Sequence, residues 1–500
     1  MTLAEQFPIL VVVVPMLLAP LLAIIPSRGN LPWLMATVTS ALTFAIAVGL
    51  ANEVLSSGTI EYLLGNWPVP FGIGLVVTPF SALMVLIISG ASLVALLAGR
   101  DSMMAEVPVE SQSLLYSCWL LAQTGLIGIA VTGDAFNIFV FMEISSLASY
   151  VAVANGPNRR ALTASFKYLV TGTIGATFYL IGVGYLYMMT GTLNLADLSD
   201  RLADISDTLP VMIAAGFLVL GLALKAALFP MHAWMPNTYQ FAPTPVAIFF
   251  AACSTKVALF VMIRYEFWVL LPNLGQQAYF LANLLIPLAV AAFLVGSVVA
   301  IFERDLKRML GYSSVAQIGY IVLAIALASS AGLTAAIVHF LNHALMKAAL
   351  FTAVAGIMLR YGTTNLDQLA GLGRRMPLTM LGFVFGGLSL IGVPLTAGFI
   401  SKWYLIQAVL EEPGLGILLT MLILLASLMA VVYIWKVVEV AYFKAPANGS
   451  LQDIKREEAP LPVLLVLWAL VAANIWFGID PSLPLLVANM EIGHVLGMGR

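Results

Sequence analysis

The sequence predicts an all-α polytopic membrane protein of about 14 transmembrane helices, with two inverted five-helix repeats and discontinuous helices 7 and 12. Hydrophobic residues make up 61% of the chain and charged residues only 9%, whereas soluble domains have about 25% charged residues. Apolar runs of about 20 residues, the length that spans a bilayer, recur fourteen times along the chain. Basic residues are concentrated in alternate loops, and short motifs of the first half recur in the second.

The predicted spans follow these apolar runs in order. They are residues 7–25, 31–51, 77–99, 112–131, 135–154, 162–190, 210–240, 244–263, 276–302, 312–330, 333–359, 378–409, 415–441 and 459–478. Residues 52–76 are rich in glycine and proline, which predicts an irregular or hairpin-like external loop. The first run follows Glu5 rather than a basic region and has no small-residue cleavage site, so it is interpreted as a retained span.

Loop charges support this count. Loops after even-numbered spans, with the C-terminus, hold three basic residues: Arg201, Arg264 and Arg500. The positive-inside rule therefore places the other loops in the cytoplasm and both termini on the outer side of the cell inner (plasma) membrane. An acidic loop (Asp197, Asp200, Asp204 and Asp207) is also on the outer side. The 13 basic residues after odd-numbered spans are Arg28, Arg100, Arg159, Arg160, Arg304, Lys307, Arg308, Arg360, Arg374, Arg375, Lys444, Lys455 and Arg456.

The six remaining basic residues are all lysines inside predicted spans. Lys167 and Lys436 lie near cytoplasmic span ends and can extend to water. Lys225, Lys256, Lys347 and Lys402 are too deep for that. Arginine stays charged, whereas a desolvated lysine can lose its proton, so lysine suits a proton carrier. The alternative is that these lysines form buried pairs that fix helix packing.

The two halves of the chain share short motifs in the same order. Ser145-Ser146-Leu-Ala matches Ser313-Ser314-Val-Ala, Ala161-Leu-Thr-Ala matches Gly332-Leu-Thr-Ala, and Lys225 corresponds to Lys402. Each unit has five helices, so the second copy is inverted, an arrangement typical of transporters. The predicted units are an N-terminal three-helix segment (1–110), the two repeats (111–265 and 276–441), and a last helix with a short C-terminal tail (442–500).

Two of the deep lysines adjoin predicted helix breaks. Pro230 follows Lys225 by five residues, and Pro394 precedes Lys402 within Gly392-Val-Pro-Leu-Thr-Ala-Gly398. Proline cannot donate to the helix ladder, and in a bilayer the freed carbonyls need water or polar neighbours. Both segments are therefore candidate hydrated pockets, with an ordinary proline kink as the alternative.

Other ionisable residues complete a candidate proton path. Glu143 is the one carboxylate near the middle of a span, and Lys225 is its natural partner. His339, His343 and Lys347 share one face of a helix at steps of about 6 Å, a spacing at which water-bridged groups can pass protons. The alternative is histidines bonded to backbone carbonyls. His232 is a possible link between Lys225 and Lys256, or simply a structural histidine.

Several other functions are disfavoured. Cys118 and Cys253 lie in separate spans, which gives neither a disulfide framework nor iron–sulfur spacing. The histidine pair lacks an acidic or cysteine neighbour, so no metal site, cofactor or catalytic residue is predicted. A net charge of −2 argues against a nucleic-acid partner.

At these residues the chain resembles the antiporter-like subunits shared by respiratory complex I, Mrp-type sodium/proton antiporters and membrane-bound hydrogenases. The motifs are Glu143, Lys225 with Phe-Pro-Met-His232-Ala-Trp-Met-Pro, Ala-Pro243-Thr-Pro245-Val before Lys256, the histidine face, and Gly398-Phe-Ile-Ser-Lys402. The D-type member of the Mrp antiporters looks most similar. The resemblance implies a proton path through Glu143, Lys225, Lys256, His339, His343, Lys347 and Lys402. It also implies other membrane subunits as partners.

Three classes of function remain open. The first is a subunit of a multisubunit monovalent cation (Na⁺)/H⁺ antiporter, with a proton-pumping subunit of a respiratory complex as the runner-up. The second is a membrane redox enzyme, which the absence of cysteine clusters and nucleotide-binding glycine motifs disfavours. The third is a lone transporter of another inverted-repeat family, active when purified alone.

Overall fold

The computed structural model describes residues 4–26, 29–203, 205–206, 208–274, 278–445 and 456–498. Five residues used in the loop-charge prediction lie outside these ranges: Arg28, Asp204, Asp207, Lys455 and Arg500. The described helices are α1 (Phe7–Ile24), α2 (Leu31–Ser57), α3 (Pro79–Glu106), α4 (Val109–Val131), α5 (Ala135–Ala154), α6 (Arg160–Thr190), α7 (Leu195–Leu202), α8 (Leu209–Lys225), α9 (Trp234–Phe241), α10 (Thr244–Arg264), α11 (Leu271–Leu274), α12 (Ala278–Phe302), α13 (Leu306–Ala326), α14 (Ser330–Tyr361), α15 (Leu372–Arg375), α16 (Pro377–Ile391), α17 (Ala397–Leu410), α18 (Gly416–Val438), α19 (Leu461–Ile479) and α20 (Ser482–Met498). Strands β1 (Ile60–Leu63) and β2 (Gly74–Val77) form an antiparallel hairpin in the predicted external loop.

The all-α membrane fold is confirmed. Among the described residues, twelve helical segments are long and apolar enough to cross a membrane. Predicted spans 7 and 12 are instead each divided in two, α8 with α9 and α16 with α17. Twelve continuous and two interrupted helices account for the fourteen predicted spans.

Some predicted span ends were wrong. Arg264 was placed in a loop, but α10 continues through a π-helical turn (Tyr265–Leu270), and its side chain is 1% exposed. Arg100 lies within α3, and Lys307 is buried in the first turn of α13. These helices extend beyond the predicted apolar runs because their cationic side chains stack on aromatic rings or donate hydrogen bonds to backbone carbonyls.

The C-terminal region also differs from the expected short tail. Residues 482–498 form helix α20, which packs against α3 and α14. Within the acidic loop, α7 adds a short amphipathic helix. A 17-residue helix falls below the usual spanning length of about 20 residues, which explains why the hydropathy count passed over α20.

The same backbone pairing occurs at two opposite ends of the bundle. Ala135 N donates to Leu193 O where α5 begins, and Leu306 N donates to Thr364 O where α13 begins. The isolated bridges beside these bonds join Asp134 with Asn194 and Asp305 with Asn365. We call the end that carries Arg159 and Arg304 the basic end, and the end where α5 begins the opposite end.

Both interrupted helices stop at residues with left-handed backbone. After α8, Ala227 has φ 57°, and Pro230 lies in the segment before α9. After α16, Gly392 has φ 88° and Pro394 lies in the segment before α17. The backbone carbonyls at these helix ends have no partner in their own helix, so they are free to accept bonds from side chains.

Helix α14 is at the centre of the bundle. Its side chains are buried over most of its length, and it packs against α3, α10, α13, α16, α17, α19 and α20. The ionisable groups in the middle of α14, which are His339, His343 and Lys347, are therefore enclosed by protein rather than by lipid.

Candidate functional site

Lys225 is the last residue of α8, placed where α8 and α6 approach closely. A Cβ added at Gly221 would lie 2.6 Å from Gly175 O, and one added at Gly175 would lie 3.3 Å from Lys225 Cγ. Small residues are what allow helix backbones to approach in a membrane protein. The two glycines therefore bring the Lys225 side chain between α6 and α5.

The Lys225 ammonium has two partners on α5. Its Nζ donates to Ser146 Oγ at 2.7 Å and lies 3.6 Å from Glu143 Oε1. Ser146 is three residues after Glu143, so both groups are on the same face of α5. The Lys225 side chain is 8% exposed and that of Glu143 is 26% exposed. The predicted pair is thus formed, with a serine hydroxyl as a third member.

A small polar cavity adjoins Lys225. It has a volume of about 40 Å³, and its polar lining consists of Ser145, Ser146, Ser149, Tyr168, Lys225 and Ser254. A cavity of this size with several polar groups has room for water. Water in it would connect Lys225 with α10.

Lys256 is on the other side of α10. Ser254 and Lys256 are two residues apart, which is about 200° around a helix, so Ser254 faces the Lys225 cavity while Lys256 faces away from it. Lys256 is fully buried and donates to Ala251 O at 3.0 Å. It is close enough to interact electrostatically with His339, His343 and Lys347. Helix α10 therefore stands between two groups of ionisable residues.

The predicted face of α14 is formed and buried. The rings of His339 and His343 are stacked with centroids 5.8 Å apart, and His339 Nδ1 is 2.8 Å from Ser401 Oγ. Lys347 Nζ donates to Leu310 O at 2.8 Å and to Ser313 Oγ at 2.6 Å. Both ring nitrogens of His343 are buried without a hydrogen-bond partner among the described residues. Such nitrogens are able to accept or donate a proton.

Lys402 lies against the broken end of α16. Its Nζ donates to Leu390 O at 3.2 Å, to Ile391 O at 2.7 Å and to Ser427 Oγ at 2.9 Å. These carbonyls are free because Gly392 ends α16, and a cation at a helix C-terminus is favoured by the helix dipole. Lys402 also interacts electrostatically with His339.

The two interrupted helices place their lysines differently relative to the break. Lys225 precedes its break and terminates α8, whereas Lys402 follows its break and contacts the end of α16 from within α17. The sequence correspondence between the two lysines therefore holds for chain order, while their local geometry is distinct.

The structure does not bring His232 to either lysine. Its ring lies 5.3 Å from the ring of Phe229 and 6.0 Å from that of Tyr312 on α13. Within the described part of the chain, no hydrogen bond or ion pair joins it to Lys225 or Lys256. Of the two lysines near span ends, Lys167 is exposed, and Lys436 donates to Ile301 O and Glu303 O.

Sequence reasoning did not assign the hydroxyl partners. Ser146, Ser313, Ser401 and Ser427 each contact a lysine or histidine named above. A signal was present, because a Ser-Ser motif occurs in both halves of the chain, at Ser145-Ser146 and Ser313-Ser314, and Ser401 directly precedes Lys402. No group of three or more histidine, cysteine or acidic residues suited to a metal ion occurs in the described ranges.

We call Glu143, Lys225, Lys256, His339, His343, Lys347 and Lys402 the buried row. Glu143 is partly exposed, and the side chains of the other six residues are buried. Ionisable residues at membrane depth beside interrupted helices characterise a membrane ion-translocating subunit. Residues 132–430 match the family described as NADH:quinone oxidoreductase/Mrp antiporter, transmembrane. The chain belongs to this family and is an antiporter-like subunit of the complex I and Mrp superfamily.

Relatives from both branches of the family are similar to this chain. The N-type membrane subunit of the NADH-quinone oxidoreductase of Desulforudis audaxviator (strain MP104C) is 40% identical over 466 residues, covering 91% of this chain and 90% of the relative. The D-type component of the Na(+)/H(+) antiporter of Bacillus subtilis (strain 168) is 30% identical over 85% of this chain and 84% of its own length.

Two solved structures have the same fold. A chain of the membrane-bound sulfane sulfur reductase, an archaeal respiratory membrane complex, is 31% identical with a TM-score of 0.91, covering 99% of this chain and 100% of its own. A chain of the Mrp complex from Dietzia sp. DQ12-45-1b is 25% identical with a TM-score of 0.89, covering 100% of both chains.

Proposed function

We propose that this chain carries protons along the buried row as one membrane subunit of a multisubunit monovalent cation (Na⁺)/H⁺ antiporter. The observation that carries the proposal is the placement of four deep lysines and two histidines in the bundle interior, each within reach of a hydroxyl, a carbonyl or another ionisable group. Such groups are costly to bury and are retained where ions pass.

The buried row has two segments, one on each side of α10, and protons pass from one segment to the other. In the first, Lys225 is stabilised as an ammonium by Glu143 and Ser146. If Glu143 is neutralised or moves away, the ammonium loses its counter-charge and releases a proton into the cavity that reaches Ser254. In the second, Lys256 repels positive charge on His343 and Lys347, so their proton occupancies are coupled.

A partner subunit covers the outer face of α5 in this proposal. Glu143 lies on the same face of α5 as the exposed side chains of Phe136, Val140, Leu147 and Val151. A carboxylate facing lipid is costly, and the solved relatives are parts of multisubunit complexes. Apolar residues around one acidic group fit the surface of another membrane subunit.

A second candidate is a proton-pumping subunit of a respiratory complex. The 40% identical relative is named as a subunit of NADH-quinone oxidoreductase, and the sulfane sulfur reductase is a respiratory complex. The buried row would serve either assembly, because the source of energy lies in other subunits. Purification from native membranes separates the two by the subunits that accompany the chain.

For orientation, we propose that the basic end faces the cytoplasm of a plasma membrane, which leaves both termini outside. We also propose that the chain contains two inverted five-helix repeats, formed by residues 111–265 and 276–441.

The test of the proposal is proton flux in vesicles that contain the whole complex. Lys225→Ala and Lys402→Ala should each abolish the change of a pH-sensitive dye after an imposed cation gradient or substrate addition. Lys167→Ala is the matched control, because Lys167 is a membrane lysine on the exposed surface of α6. Full flux in both buried variants would refute the proposal, and sodium dependence of the wild-type flux would separate Na⁺ exchange from proton pumping.

A further inference from the structure

A second buried charged cluster lies at the opposite end of the bundle, outside the buried row. Arg264 is 1% exposed and donates through Nη1 to Thr132 O. Its guanidinium carbon is 4.4 Å from the centre of the Trp268 ring. Its Nε and Nη2 are buried without a hydrogen-bond partner among the described residues. A buried guanidinium is costly unless water, a ligand or an acidic group satisfies its donors.

Helix α20 supplies the other members of this cluster. Glu491 is 1% exposed, accepts a hydrogen bond from Phe80 N at 3.1 Å, and interacts electrostatically with Arg264. The ring of His494 meets that of Trp268 at 5.3 Å, and its Nε2 is buried without a partner in the described chain. An acid, an imidazole and a fixed cation are thus enclosed together.

The cluster is aligned with the Lys225 cavity along α10. Val257 and Val261 line that cavity. Arg264 follows them at seven and three residues, which places all three on one face of the helix. Arg264 begins one helical turn, about 5 Å, beyond Val261. The cavity and the cluster therefore follow one another along one face of α10.

Further ionisable groups border the same region. Tyr179 and Tyr265 share a hydrogen bond of 2.9 Å between their hydroxyls, and both interact electrostatically with Arg264 and with Asp134. Glu266 is buried beside Tyr265. Glu491, Tyr179, Tyr265 and His494 interact electrostatically with Arg264, and Asp134 interacts with the two tyrosines.

We propose that Glu491, with Arg264 and His494, is a proton-binding site through which the first repeat exchanges protons with the aqueous phase at the opposite end. This inference rests on the proposed function. Arg264 keeps its charge and holds the carboxylate form of Glu491 in place, while Glu491 takes up and releases the proton. Helix α20 is then part of the transport machinery rather than a tail.

A purely structural role makes a different prediction for one conservative change. Glu491→Gln keeps an oxygen that accepts the Phe80 N–H, so a role limited to fixing α20 against α3 survives it. The same change removes the ability to bind a proton. Glu61→Gln is the matched control, because Glu61 is an exposed acid on β1 at the same end.

The experiment measures proton flux in vesicles that contain the complete complex, with assembly checked by size-exclusion chromatography. We expect Glu491→Gln and Lys225→Ala to lose flux while Glu61→Gln keeps it. Retained flux in Glu491→Gln beside lost flux in Lys225→Ala would overturn the proton-binding site and leave the proposed function standing. Retained flux in Lys225→Ala would instead overturn the proposed function.

A measurement on the wild-type complex covers the case in which Glu491→Gln does not assemble. Dicyclohexylcarbodiimide reacts with protonated carboxyl groups in apolar surroundings and leaves an N-acylurea that mass spectrometry locates. We expect Glu491 to be labelled, with labelling that falls as the pH at the opposite end rises. No labelling of Glu491 at any pH that supports flux would contradict the proposal. A chloride-dependent block of labelling with unchanged flux would assign Arg264 to anion binding instead.

Discussion

Gly392→Ala tests whether the broken end of α16 positions Lys402. Gly392 has φ 88°, and a Cβ built on it would lie 2.9 Å from Lys402 Cδ. The substitution therefore strains the backbone and also pushes the lysine stem away from the carbonyls of Leu390 and Ile391.

The expected size of the effect has two parts. A non-glycine residue with left-handed backbone costs about 1 kcal/mol. Loss of one hydrogen bond to the ammonium costs about 2 kcal/mol. Only the lost hydrogen bond acts on Lys402. Because 1.4 kcal/mol corresponds to a factor of ten, a loss of about 2 kcal/mol corresponds to a roughly 30-fold loss of proton transfer.

Gly362→Ala provides the matched control. Gly362 has φ 65°, ends α14, and has no atom within 4 Å of its built Cβ. It carries the same backbone strain without touching the buried row. In vesicles that contain the complex, we expect Gly392→Ala to reduce dye-detected proton flux roughly 30-fold and Gly362→Ala to leave it nearly unchanged. Equal flux in the two variants at equal complex content would refute the assigned role of Gly392.

Three further predictions concern other parts of the molecule. Glu143→Gln removes the counter-charge of Lys225 at a cost of about 3 kcal/mol, so flux should fall roughly 100-fold; wild-type flux would contradict the pair. Ser401→Ala removes the bond to His339, worth about 1 kcal/mol, and should lower flux about fivefold. Ser117→Ala is the control for this change: the hydroxyl of Ser117 donates to Ala19 O, outside the buried row, so its loss should leave flux unaffected. Val140→Cys and Leu147→Cys should cross-link to another membrane subunit while Leu21→Cys on α1 does not, and the reverse pattern would place the partner elsewhere.

Much of the fold was predictable because a bilayer imposes long apolar helices. The span count, the hairpin and the two interruptions followed from hydropathy, glycine and proline. The failures occurred where side-chain contacts override hydropathy. Hydropathy predicts a loop position for Arg264, but in the structure its guanidinium stacks on the ring of Trp268 and the residue is buried. Helix α20 is too short for a spanning window, and its burial depends on packing against α3 and α14.

The ionisable residues of the candidate site could be predicted from the sequence, whereas their contacts could not. Lysines at membrane depth are conspicuous in a sequence with few charges. Serine is common in membrane helices, so nothing singled out Ser146 or Ser427 until their hydroxyls were placed beside Lys225 and Lys402. Nearness in sequence to Lys225 also did not bring His232 into contact with that lysine, because its ring packs beside Phe229 and Tyr312. The helical period separates Ser254 from Lys256 on α10, but tertiary packing decides which of the two faces the Lys225 cavity.

The most direct test of the central claim compares lysines that differ only in their place in the bundle. Lys225→Ala, Lys256→Ala, Lys347→Ala, Lys402→Ala and Lys167→Ala would each be introduced into the intact complex and assayed for proton flux. The buried row predicts flux at the background level for the first four and wild-type flux for Lys167→Ala. Wild-type flux in the four buried variants, or an equal loss in all five, would contradict it.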